Sequence, residues 1–164
     1  MLALGATTVI PVNRAGSAPV VVDAGLPVQL VAPRVLECED AEALWENVEC
    51  VPADDPILDG YDGYTDHRGR IYLSDRYTGG QLDGLVKHEL GHRALRDVSC
   101  GPGCRQVFMA AADTMWITTD HATMASERAA QTWAWCMLAG GDTNVEPLTC
   151  DVLDQAFTAA RAES

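Results

Sequence analysis

The chain has 164 residues and a mass of 17.6 kDa, with 48% apolar and 21% charged residues. That is the size of one ordinary domain, able to bury a core without an obligatory metal or disulfide, and no apolar run approaches the ~20 residues of a membrane-spanning helix. Eleven basic against 24 acidic residues leave a net charge of −13, which repels phosphate backbones and anionic lipid, so neither a nucleic-acid nor a membrane partner is expected.

Residues 1–37 read as a β-rich segment, with Val9-Ile10, Val20-Val21-Val22 and Val28-Gln29-Leu30-Val31 as short strands between Pro and Gly. The segment is expected either to complete the sheet of the domain that follows or to serve as an arm packing on a protein partner. Met1 to Ala6 lack the basic start of a secretory signal, and Pro11 interrupts the apolar stretch. Cytoplasmic placement is therefore expected, with a virion or secreted placement left open.

The second region, residues 38–164, turns helical near Glu39, where Ala41, Leu44, Trp45 and Val48 share one face. A polar loop rich in Asp, Gly and Pro covers 52–69. Arg70-Ile71-Tyr72-Leu73-Ser74 follows as a strand launched by the His67-Arg68-Gly69 turn. Leu82, Leu85, Val86, Leu90 and Leu95 predict a helix over 81–96, and a second helix runs from Arg105 to Trp116 after a loop. Thr118-Thr119-Asp120-His121 is a break. A packed helix is expected over 124–139, stopped by Gly140-Gly141, and a last one begins at Thr149 or Asp151. The four tryptophans, Trp45, Trp116, Trp133 and Trp135, are expected in or near the core. The fold class is α+β: a small sheet followed by packed helices.

Cys38, Cys50, Cys100, Cys104, Cys136 and Cys150 are too sparse for a disulfide scaffold. Cys100-Gly-Pro-Gly-Cys104 fits a metal clip, a disulfide loop or two unrelated thiols, and spacing alone does not choose among them.

The chemistry is carried by His88-Glu89-Leu90-Gly91-His92, an H-E-x-x-H pattern in the middle of a predicted helix. Residues four apart lie one turn apart on one face, so His88 and His92 can offer two imidazole nitrogens to one Zn²⁺ at about 2.0–2.1 Å. Glu89, beside them, is placed to act on water as a general base and then to protonate the leaving amine. Gly91 costs about 1 kcal/mol against Ala in a helix interior, which makes sense where something must approach that face closely.

A catalytic zinc needs a third protein ligand and an open fourth position. Asp97 lies near the helix end and suits a solvated carboxylate, His121 sits in the break, and Glu127 lies one turn into the 124–139 helix at the edge of its apolar stripe. A carboxylate there is expensive unless paired or metal-bound. The ordinary alternative is a solvated first-turn glutamate favoured by the helix dipole. Four aspartates in the preceding loop, Asp54, Asp55, Asp59 and Asp62, do not match the spacing of a calcium loop.

The strand Arg70–Leu73, the His88–His92 block, and Glu127-x-x-Ala130-Gln131-x-Trp133-Ala134-x-x-x-Leu138 together resemble the ImmA/IrrE-type metallopeptidases. The resemblance covers residues 60–140. It implies a zincin-like core in which His88, His92 and Glu127 bind zinc and Glu89 is the catalytic base. Gln131 stands where the family has Asn, and Trp133 where it has Phe, departures expected to touch packing rather than the ligands. The family includes proteases that cleave repressors in phage, mobile-element and stress-response switches.

The expected function is that of a zinc-dependent endopeptidase acting on a protein or peptide, with Tyr72, Tyr77 and His121 as candidate oxyanion stabilisers. The strand at 70–74 could pair with an extended substrate along its edge. Two alternatives stand beside this reading. One is a non-enzymatic, zinc-stabilised structural or interaction protein, for instance a virion or assembly component. The other is a metal-free interaction protein.

Overall fold

The structure, a computed structural model, describes residues 35–118, 121–141 and 144–163. The strands expected before residue 35, and with them nearly all of the proposed arm, lie outside the described residues. Among the latter the class is α+β: five helices and one three-stranded sheet.

Helix α1 (Cys38–Leu44) opens on a capping box, in which the Glu37 backbone N–H donates to Asp40 and the Glu37 side chain accepts in return. It ends four residues before the expected limit. Asn47 adopts a left-handed conformation (φ 61°), and Val48 enters strand β1 (Val48–Val51) instead of continuing the helical face. Sheet pairing by a β-branched residue outweighs the helical period. Leu44, counted on the buried face, is exposed as a result.

Strand β2 (Gly63–Thr65) lies inside the expected polar loop. It pairs antiparallel with β3 (Ile71–Ser74) in the register Tyr64↔Tyr72, and β1 pairs parallel with β3 in the register Val48↔Ile71. The β2–β3 turn is held by Asp66, whose Oδ1 accepts from Arg68 N and Arg70 N at 2.7 and 2.9 Å. The order β1-β3-β2 makes β3 the central strand. All four of its residues are buried, as expected of a strand covered on both faces.

Ile71 and Leu73 pack with Leu82, Leu85, Val86 and Leu90 of helix α2 (Gly79–Asp97), whereas Tyr72 joins Val51 and Leu58 in a separate cluster. A second core gathers Leu95 of α2 with helices α3 (Pro102–Ala112), α4 (Ala125–Leu138) and α5 (Cys150–Ala162), around Phe108, Ala129, Ala130, Leu153 and Ala156. Trp45, Trp116 and Trp133 pack against these cores, but Trp135 is 57% exposed, against expectation. The α4 face that meets the core is built from Ala125, Ala129, Ala130 and Ala134, all fully buried, so the helix can approach its neighbours closely.

All six cysteines are paired: Cys38–Cys50 ties α1 to β1, Cys100–Cys104 closes the loop onto the first turn of α3, and Cys136–Cys150 joins the end of α4 to the start of α5. The Cys100–Cys104 ambiguity thus resolves as a disulfide loop.

Candidate metal centre

Helix α2 presents His88 and His92 toward α4. The approach is set by Gly91: a Cβ there would stand 2.8 Å from both C and Cα of Ala130, closer than real side chains come to backbone. The backbone of α4 is therefore what requires a glycine at this position. With the helices so close, Glu127 in the first turn of α4 reaches both imidazoles. Its Oε2 lies 3.0 Å from His88 Nε2 and 3.2 Å from His92 Nε2. Glu127 is 7% exposed, so it is not a solvated first-turn glutamate.

This donor set fits a divalent metal ion. The ligand atoms of His88, His92 and Glu127 lie within 4.8 Å of one another, and they form the one such group among the described residues. Donors around a tetrahedral ion at ~2.0–2.1 Å stand roughly 3.3 Å apart, close to the 3.0 and 3.2 Å from the Glu127 oxygen to the two imidazole nitrogens. The tautomer is suitable too. Gln131 Oε1 lies 3.1 Å from His88 Nδ1, so that nitrogen donates and Nε2 is the one left facing the cluster, able to bind a metal once it gives up its own proton. Gln131 thus serves the donor set directly, correcting the expectation that this departure from the family pattern touches packing and the helix end but not the ligands.

Without a metal, the charges lean on one another. Burial alone would lower the His88 pKa, but the hydrogen bond to Glu127 and the charges of Glu89 and Glu127 raise it to about 9. Burial would raise Glu127, yet the bonds from His88 and His92 hold its carboxyl well below the usual carboxylate range.

Glu89 is 5% exposed and lies beside the cluster without joining it. Its carboxylate faces β2, where Thr65 Oγ1 donates to Glu89 Oε2 at 2.7 Å. Both Glu89 and Glu127 line a cleft of about 450 Å³ that also takes in Tyr61, Tyr64 and Ile117.

Of the three oxyanion candidates, the structure brings one to the site. His121, in a 3-10 turn (His121–Thr123), places Nε2 3.3 Å from Glu127 Oε2 and its ring centroid 4.8 Å from that of Tyr61. Tyr72 belongs to the cluster with Val51 and Leu58, and the Tyr77 hydroxyl donates to Asp62 Oδ2 at 2.7 Å, outside the cleft. Asp97 pairs with Arg96 away from the cluster, and Asp55 caps a short turn through Ile57 N, so the loop aspartates do not gather. Thr65 and Gly63 were missed at the sequence level, because a three-residue strand in an Asp- and Gly-rich loop has too few positions to show alternation.

No family model matches the chain, and no curated protein or solved structure matches it either.

Proposed function

We propose that the protein is a zinc-dependent endopeptidase with a zincin-like core. One observation carries the reading: two imidazole nitrogens lie 3.0 and 3.2 Å from a single carboxylate oxygen, with the Glu89 carboxylate next to them on the wall of a cleft. A donor set kept only for structure has no use for a glutamate in that place. The likeness of the His88–His92 and Glu127–Leu138 blocks to ImmA/IrrE-type metallopeptidases supports the same reading, including a role in regulatory or phage-type proteolysis.

Zinc would be held by His88, His92 and Glu127, and when bound it supplies a Lewis acid that polarises a peptide carbonyl and lowers the pKa of water toward ~7. Glu89 takes the proton from the attacking water and delivers it to the leaving amine. His121, which lines the same cleft, can donate from its ring nitrogen to the developing oxyanion.

The cleft borders α2 from Glu89 to Arg96, roughly 10 Å at 1.5 Å per residue, enough for about three residues of extended peptide. A backbone pairing with the sheet would use β2, since β3 is flanked on both sides. This replaces the expectation that strand 70–74 offers the edge. Three disulfides also favour an oxidising compartment, secreted or otherwise, over the cytoplasm.

The second reading, a metal-stabilised interaction protein without activity, is favoured by the nearness of His121, which as a fourth ligand would close the site. Metal analysis and a peptide-library screen of wild type and Glu89→Gln separate the two. The peptidase reading expects one zinc in both proteins and a loss of cleavage by about 10²–10⁴ in the variant. Wild-type protein that binds zinc and cleaves nothing, with His121→Ala weakening zinc binding, supports the second.

A further inference from the structure

Glu89 meets strand β2 at two points. Thr65 Oγ1 lies 2.7 Å from Glu89 Oε2 and 3.0 Å from the Glu89 backbone oxygen. A Cβ on Gly63 would stand 2.8 Å from Glu89 Oε1 and 3.0 Å from its Cγ. Alternation along the strand turns residues 63 and 65 toward α2, whereas Tyr64 stacks on Tyr72 with centroids 6.4 Å apart.

We propose that Thr65 is a positioning residue for the general base. Its hydroxyl holds Oε2, which leaves Oε1 as the oxygen that exchanges protons, in the space that a side chain at position 63 would fill. The hydroxyl has one proton and two acceptors in range. The carboxylate oxygen is both nearer and the stronger acceptor, while the backbone oxygen belongs to the α2 ladder. The kinetic part of this inference rests on the peptidase reading; the hydrogen bond does not.

Two measurements test it, one without activity. In metal-free protein, a double-mutant cycle of Thr65→Val and Glu89→Leu, read from denaturant unfolding, is expected to show coupling of about tenfold in the unfolding constant. Additivity would overturn the proposal, because a hydroxyl serving only the backbone oxygen loses the same amount in either background. In zinc-loaded protein, Thr65→Val is expected to lower kcat about tenfold while KM stays within about twofold and zinc affinity is unchanged, and Thr65→Ser to restore the rate. An unchanged kcat in Thr65→Val, or a Thr65→Ser protein as slow as Thr65→Val, would also overturn it. Zinc-bound wild type that hydrolyses nothing sinks the peptidase reading alone, and the unfolding cycle then decides whether Thr65 holds Glu89.

Discussion

Gly91 of α2 and Ala130 of α4 meet so closely that no side chain fits between them. That contact fixes the distance from which Glu127 reaches His88 and His92. Replacing a mid-helix glycine with alanine ordinarily gains about 1 kcal/mol of helix propensity. Gly91→Ala is expected to do the reverse, with overpacking costing about 1–3 kcal/mol, and to weaken zinc binding by pushing α4 outward. Denaturant melts and zinc titration check both, and a stabilised variant with intact affinity would refute the account.

Gln131 fixes the His88 ring through Nδ1. Gln131→Leu removes that acceptor and puts an apolar side chain of similar reach in its place. Zinc affinity is expected to fall about 10–100-fold, measured by competition with a chelator, while the fold persists by circular dichroism.

The His88–Glu127 pair predicts a pH window for the metal-free chain. His88 has a folded value of about 9 against an ordinary 6.5, so its contribution is complete below 6.5 and disappears as pH rises through about 9. Glu127 runs the other way: its value is lowered from 4.5, so its contribution is present above 4.5 and is lost as pH falls below it. The stability difference between wild type and Glu127→Gln is expected to be greatest between about pH 4.5 and 6.5. A difference independent of pH would contradict the pairing.

The same pairing couples metal to protons. Near pH 7 His88 is protonated in the metal-free protein and must give up that proton to become a ligand. Zinc titrations in buffers of different ionisation enthalpy are expected to show net proton release, and apparent affinity should rise with pH toward 9.

The disulfides should differ in weight. Cys136–Cys150 spans 14 residues and Cys100–Cys104 only 4. Loop-closure entropy gives about 3 kcal/mol for the longer and about 2 kcal/mol for the shorter. Paired Cys→Ala variants, compared by denaturant midpoint under oxidising conditions, check the order.

The parts of the site legible in the sequence were those carried by long periodic helices. His88 and His92 stand one turn apart by helical geometry alone, and Glu127 is a carboxylate at the edge of an apolar stripe. Thr65, Gly63 and the choice among Tyr72, Tyr77 and His121 were not legible. They depend on which face of a short strand meets α2, and a one-residue shift in register reverses that. The early end of α1 escaped for a similar reason: Val48 satisfies a helical period and a strand equally well until Ile71 lies beside it. Cysteine pairing is a matter of proximity in space, which spacing does not encode.

The three cross-links join the first cysteine to the second, the third to the fourth and the fifth to the sixth. Of the ~15 arrangements open to six thiols, this is the one in which each bridge closes before the next begins, so that no loop encloses another. Oxidation can thus follow chain order, each bridge closing before the next pair of thiols is needed.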